Sequence, residues 1–153
     1  MAVTDRMTDR SRKVLSLAEQ AARWLGYDEV QPEHILLGLA LEGGGVAWYV
    51  LRDLNADAKH IRHHLSETVA AQLSVSQERP LSAAALRTIE RAYDEAKLLN
   101  HAYIGTEHLI LGVALAGEGS VPEILSKLHL TAKVIRREVY CLLGHELPNV
   151  PAS

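Results

Sequence analysis

The sequence contains no phenylalanine and only one cysteine. Five tyrosines and two tryptophans are its aromatic residues, so leucine, alanine, valine and isoleucine supply most of the apolar side chains. Small aliphatic residues favour helices that pack closely against one another. Cys141 has no second cysteine with which to form an intramolecular disulfide or a cysteine metal cluster. This cysteine usage is typical of a reducing compartment.

The chain also lacks an excess of positive charge and a long apolar run. Sixteen lysines and arginines stand against 19 aspartates and glutamates, which gives a net charge of −3. A chain with this charge has no overall field that would hold nucleic acid or an anionic membrane surface. No run approaches the roughly 20 apolar residues of a membrane span, and the amino terminus lacks the apolar segment of a signal peptide. We therefore expect a globular cytoplasmic protein that binds neither nucleic acid nor membrane.

The common catalytic motifs are absent as well. No glycine-rich segment continues into the Gly-Lys-Ser/Thr of a nucleotide-binding loop, so Gly43-Gly44-Gly45 is interpreted as a turn between two helices. No serine has the Gly-x-Ser-x-Gly context, and no nucleophile motif surrounds Cys141. We predict that the chain is not an enzyme and that it has no catalytic residue, cofactor or metal.

An internal repeat organises the sequence. At an offset of 74 residues, Glu33–Leu41 aligns with Glu107–Leu115, and the alignment extends in both directions without a gap. Self-similarity of this kind predicts two copies of one structural unit. We expect a first repeat at 7–72, a linker at 73–80, a second repeat at 81–143 and a flexible tail at 144–153.

Each repeat is predicted to form four helices. In the first helix the apolar residues recur with the 3.6-residue period of a helix face: Val14, Leu15, Ala18, Ala22 and Leu25. The predicted N-caps are Thr8 or Asp9, Asp57, Ser82, Thr106, Ser120 and Thr131, and Pro32 is predicted at a first helical position. The fourth helix is expected to place Ile61, Leu65, Val69 and Leu73 on its apolar face. The fold class is therefore all-α, with two tandem four-helix repeats, eight helices in total, related by a pseudo-two-fold axis.

Histidines are the candidate metal ligands. His60 and His64 are four residues apart, and His63 is beside them, so one helix face would carry two imidazoles. A metal-dependent or catalytic role for this face remains an alternative function. His34 and His108 recur in both repeats within apolar helices, and we predict that they are hydrogen-bonded structural histidines.

Glu33 and Glu107 are the candidate binding residues. Each falls in the first turn of a predicted helix, where the helix dipole favours a carboxylate. A carboxylate is also the side chain that accepts a bidentate guanidinium from a partner. Two interpretations stay open: a guanidinium-binding site, or helix-start charges in an interaction domain that has lost ligand binding.

The segment Gly105–Gly112, followed by Gly117-Glu118-Gly119, resembles the amino-terminal repeat domain of Clp ATPases, most closely the ClpC type. The resemblance covers residues 7–143. It implies an eight-helix receptor that docks substrate and adaptor proteins for an ATP-driven unfoldase and its Clp protease. It also implies a site for phosphorylated arginine in each repeat.

Carried over by position, the resemblance assigns six residues to these sites. The guanidinium-binding carboxylates are Glu33 and Glu107, and the phosphate-binding helix starts are Thr8 with Asp9 and Ser82 with Ala83. A phosphate is favoured at a helix amino terminus, while a carboxylate takes the guanidinium.

The resemblance further implies that the partners are Clp ATPase or protease components, adaptors and substrates. We expect a monomeric, non-catalytic protein-binding module. No ATPase module follows within the sequence, and two interpretations stay open: a naturally short adaptor, decoy or accessory protein, or a fragment of a full-length chaperone. The proline-containing tail at 144–153 and the altered motif of the first repeat favour the short protein.

Overall fold

The computed structural model describes residues 2–65 and 79–145. Over these residues the chain forms a short 3₁₀ helix at Val3–Arg6 and eight α-helices, with no β-strand. The first repeat contains α1 Asp9–Trp24, α2 Pro32–Leu41, α3 Val46–Asp53 and α4 Ala58–His63. The second contains α5 Ala83–Leu98, α6 Thr106–Ala116, α7 Val121–Lys127 and α8 Ala132–Leu143. The predicted all-α fold of two four-helix repeats is confirmed.

Short polar side chains begin the first helix of each repeat. The Thr8 hydroxyl accepts the Ser11 N–H at 3.1 Å, and the Ser82 hydroxyl accepts the Ala85 N–H at 3.0 Å. Each bond satisfies one of the amide groups that a helix start leaves without an intrahelical acceptor. The predicted N-caps Thr8 and Ser82 are confirmed, and Asp9 is the first helical residue.

The other predicted caps have mixed outcomes. Asp57 and Thr131 are confirmed as caps, and Pro32 is the first residue of α2. The prediction for Thr106 is wrong, because Gly105 is the N-cap and Thr106 is the first helical residue. Ser120 occupies the N-cap position of α7, but its side chain forms no capping bond.

The fourth helix is shorter than predicted. Helix α4 ends at His63 with His64 as its C-cap, so Ile61 is buried within the helix, whereas Leu65 is buried beyond its end. Val69 and Leu73 lie outside the described residues, as do most of the predicted linker and tail, so those boundaries remain predictions.

Helices α2 and α6 are the central elements of the core. Their apolar residues are buried on almost every side, and each packs against the first helix of its own repeat. Glycine permits this close approach. A Cβ atom on Gly38 would lie 2.6 Å from the Val14 carbonyl oxygen, and one on Gly112 would lie 2.5 Å from the Thr88 carbonyl oxygen.

A parallel backbone bridge joins the residues ahead of α1 to the second repeat. Met7 pairs with Ile104, the Thr8 N–H donates to the Ile104 carbonyl at 3.0 Å, and the Ile104 N–H donates to the Arg6 carbonyl at 2.9 Å. We call this bridge and its two hydrogen bonds the first clamp.

The second clamp is the equivalent contact, in which the residues ahead of α5 join the first repeat. Leu81, ahead of α5, pairs with Val30 of the first repeat. The Ser82 N–H donates to the Val30 carbonyl at 2.9 Å, and the Val30 N–H donates to the Pro80 carbonyl at 2.8 Å. Each repeat therefore holds the start of the other repeat's first helix, as a pseudo-two-fold axis requires.

Among the described helices, none is both long enough and apolar enough to cross a membrane by itself. Two consecutive pairs reach that length and composition only in combination. These are α2 with α3 and α6 with α7, which are bent at their breaks by 91° and 94°.

We predict that Gly112→Ala destabilises the protein by about 1–3 kcal/mol, the usual cost of overpacking, because its Cβ has no space against α5. The measurement is urea unfolding followed by circular dichroism. Ser126→Ala, on the exposed face of α7, is the control and should change stability by less than about 0.5 kcal/mol. Equal stability of both variants would contradict the close-packing argument.

Candidate functional site

The first clamp brings the start of α1 against the segment that leads into α6. Thr8 is hydrogen-bonded to Ile104, and Gly105, Thr106 and Glu107 follow directly. The carboxylate of Glu107 lies over the Gly105 backbone, where a Cβ atom would collide with it. We call Thr8, Asp9 and Glu107 the first site.

The second clamp creates the equivalent arrangement. It places Ser82 against Val30, and α2 begins two residues later with Pro32 and Glu33. We call Ser82, Ala83 and Glu33 the second site. The clamps thus bring each candidate phosphate position next to the segment that leads to the candidate carboxylate of the other repeat. The assignment of one site to each repeat stays a prediction.

A third helix start reaches the first site. Gly45 is the N-cap of α3, and a Cβ on Gly45 would lie 2.5 Å from Oγ1 of Thr106. The Ala47 N–H also donates to that oxygen at 3.4 Å. The amino termini of α1, α3 and α6 therefore converge, and the positive ends of their dipoles favour an anion between them.

An internal ion pair lies beside this convergence. Oε1 of Glu42 accepts the Gly44 and Gly45 N–H groups at 3.2 and 2.6 Å, and Oε2 is 2.6 Å from Nη1 of Arg10. The Glu42 side chain is 2% exposed, whereas that of Arg10 is 51% exposed. Sequence reasoning missed both residues because the equivalent positions in the second repeat are alanines, so the repeat does not mark them.

Glu33 at the second site is more enclosed than Glu107 at the first. It is buried, and its Oε1 accepts the Ser120 N–H at 3.4 Å, at the start of α7. A Cβ atom on Gly119 would collide with the same oxygen. Glu107 is only partly buried. The two candidate carboxylates occupy equivalent sequence positions in different surroundings.

An exposed ion pair adjoins the second site. Arg87 of α5 donates to both carboxylate oxygens of Glu118 at 2.6–2.9 Å. These hydrogen bonds lower the pKa of Glu118 and raise that of Arg87. Glu118 directly precedes Gly119, so each site has one arginine–carboxylate pair at its border.

His34 and His108 behave as predicted for structural histidines. Both are fully buried, and their Nδ1 atoms accept the N–H groups of Gln31 and Gly105 at 2.9 Å. Burial lowers the pKa of each to about 4, and for His108 the neighbouring His101 lowers it further. Each imidazole is therefore neutral near pH 7, and its proton is on Nε2 because Nδ1 is an acceptor.

The histidine face proposed as an alternative metal site forms other contacts. Nδ1 of His60 is 2.6 Å from Oδ1 of Asp57, and the rings of His63 and His64 meet edge to face at 5.0 Å. Within 2–65 and 79–145, no group of three histidine, cysteine, aspartate or glutamate side chains is placed to hold a metal ion. The geometry gives the metal-dependent alternative no support.

Comparison with known families identifies the chain. The family described as the Clp repeat (R) N-terminal domain matches residues 6–139. The chain belongs to this family.

The chain is also similar to the amino-terminal parts of several Clp proteins. The chain is 37% identical over 139 residues to the negative regulator of genetic competence ClpC/MecB of Bacillus subtilis, covering 91% of this chain and 17% of that protein. It is 36% identical over 153 residues to chloroplastic ClpC of Pisum sativum, covering 99% and 17%. The chain thus spans about 17% of the length of the curated relatives that it matches.

Solved structures share the fold. The N-terminal domain of ClpD from Arabidopsis thaliana has a TM-score of 0.70 at 22% identity, covering 93% of this chain and 97% of that one. The Hsp104 N-terminal domain of Candida albicans has a TM-score of 0.67 at 14% identity, covering 92% and 93%. A complex of a ClpV N-domain with a VipB peptide has a TM-score of 0.65 at 15% identity, covering 93% and 89%.

We predict that acid destabilises the protein through His34 and His108. The pKa of each is about 4 in the folded state, so below the ordinary value of 6.5 the unfolded state binds more protons. Stability present at pH 7 is therefore lost as the pH falls, by about 2 kcal/mol per histidine between pH 7 and pH 5. Urea unfolding at the two pH values measures this loss.

Two variants test whether the buried histidines cause this loss of stability. His34→Gln should remove about half of the loss between pH 7 and pH 5, because one of the two buried imidazoles is gone. His129→Asn is the control, since His129 is exposed and has a positive φ that asparagine tolerates. If His34→Gln retains the full pH dependence, the assignment is wrong.

Proposed function

We propose that the chain is a protein-binding module of the Clp system that docks substrate or adaptor proteins and has no catalytic activity of its own. Its family membership and its 37% identity to ClpC/MecB support this function. So does the VipB peptide bound to a ClpV N-domain of the same fold. The observation that carries the proposal is the convergence of helix starts beside a carboxylate at each clamp.

The proposed ligand is a phosphorylated arginine side chain on a partner protein. Its phosphoryl group is an anion that suits a helix start, and its guanidinium donates to a carboxylate. At the first site the phosphoryl group would bind at Thr8 and Asp9 and the guanidinium at Glu107. At the second site Ser82 and Ala83 take the phosphoryl group and Glu33 takes the guanidinium.

In the proposed arrangement, each site takes its helix start from one repeat and its carboxylate from the other. The helix start and the carboxylate of one site are separated by about 50–100 positions in sequence and are joined only by a clamp. Changing either the helix start or the carboxylate of one site should therefore abolish ligand binding at that site. Residues of different sites should act independently, as separate positions usually do.

We predict that isothermal titration with free phosphoarginine gives a stoichiometry of two. Glu33→Gln and Glu107→Gln each reduce it to one, because a neutral amide cannot form a charge-assisted pair with the guanidinium. Glu90→Gln, on the exposed face of α5, is the matched control and keeps both sites. No heat from the parent chain would contradict the ligand proposal and favour an interaction domain that has lost ligand binding.

The pairing across repeats has its own test. Ser82→Ala combined with Glu33→Gln should leave one site, because both changes fall on the second site. Ser82→Ala combined with Glu107→Gln should leave none. The opposite pattern would mean that each site lies within a single repeat.

We further propose that Clp components and their substrates are the partners. Purified chain in excess should slow the degradation of an arginine-phosphorylated protein by a ClpC ATPase with its protease, because it competes for the phosphorylated side chains. The double variant Glu33→Gln with Glu107→Gln is the control and should not compete. Equal inhibition by parent and double variant would contradict competition through these sites.

A further inference from the structure

A hydrogen-bonded pair of histidines joins the α5–α6 loop to α6. Nδ1 of His101 lies 2.9 Å from Nε2 of His108. Because Nδ1 of His108 accepts the Gly105 N–H, its proton is on Nε2, which donates to His101. Nδ1 of His101 must therefore be unprotonated. A proton on that atom would leave two donors facing each other and break the hydrogen bond.

The contacts of His101 with the described residues are mainly aromatic. Its half-buried ring stacks on Tyr103 at 5.0 Å between ring centroids and faces His108 from α6 and His145 after α8. Within the described part of the chain, no aspartate or glutamate forms an ion pair with it. Two cations of the flanking elements, Arg6 and Lys97, lie instead over the ring of Tyr93.

The same loop carries one half of the first clamp. Ile104 follows His101 by three residues, and its backbone is bonded on one side to Arg6 and on the other to Thr8. The segment from His101 to Ile104 is therefore held at one end by the histidine pair and at the other by the first clamp. Because only two residues separate His101 from Ile104, we expect a shift of His101 away from His108 to move the clamp segment.

The first repeat provides a natural comparison. Tyr27 occupies the position equivalent to His101, and its ring meets His34 edge to face at 4.5 Å. A tyrosine gains no proton when the pH falls below neutral. The second clamp, which includes Val30 from this loop, therefore has a tyrosine where the first clamp has His101.

We propose that protonation of His101 on Nδ1 releases it from His108 and loosens the first clamp, while the second clamp stays closed. The first clamp should therefore respond more strongly than the second when the pH falls from 7.5 to 5.5. This response of the clamps does not depend on whether either site binds phosphoarginine.

The burial of His108 makes its own protonation the less favourable event. Its pKa of about 4 keeps this imidazole neutral at pH 5.5, so its Nε2 remains a donor throughout the proposed range.

Amide hydrogen exchange measured by NMR between pH 7.5 and pH 5.5 tests the proposal without any ligand. The Thr8 and Ile104 amides report the first clamp, and the Ser82 and Val30 amides report the second. Protection factors, corrected for intrinsic exchange, should fall about fivefold more at the first clamp than at the second, as expected for the loss of one neutral hydrogen bond. An equal fall at both clamps would reflect global destabilisation alone and would overturn the proposal.

Exchanging the equivalent residues between repeats gives the matched variants. His101→Tyr copies the first repeat and should abolish the extra loss of protection at Thr8 and Ile104. Tyr27→His copies the second repeat and should create such a loss at Ser82 and Val30. A His101→Tyr protein that keeps the pH response would show that another group is responsible.

Discussion

Reciprocal backbone pairing between the repeats is the interaction on which the rest of the structure depends. Each clamp uses only main-chain donors and acceptors of two short segments, yet it fixes where a first helix begins relative to the other repeat. Buried backbone groups must find partners, so these segments cannot shift in register without losing both bonds. The convergence of helix starts, and with it each candidate site, follows from that register.

The fold was predictable because its signals are local and occur twice. Helix periodicity, the Thr8 and Ser82 caps and Pro32 are properties of short segments, and the repeat doubles the evidence for each. The prediction that Thr106 caps α6 is wrong because the adjacent Gly105 supplies the extended N-cap conformation. The threonine hydroxyl instead accepts the Ala47 N–H of α3.

The candidate sites were predictable only in part. Position in the repeat singled out Glu33 and Glu107 as candidates, but their proposed pairing with the opposite helix starts depends on contacts between distant segments. The Arg10–Glu42 pair is likewise formed by residues 32 positions apart that have no counterpart in the second repeat. Sequence patterns describe neighbours along the chain, whereas these contacts are set by the packing of three helices.

The reciprocal clamps have the form of an isologous interface, in which each partner uses the same surface segments toward the other. A single repeat therefore carries both halves of the contact needed to pair with a second copy of itself. When two copies are joined in one chain, the contact is kept, but the two repeats no longer need to have the same sequence. The buried Glu33 beside α7 and the more open Glu107 over Gly105 are the result: two carboxylates at equivalent sequence positions with separate chemical surroundings.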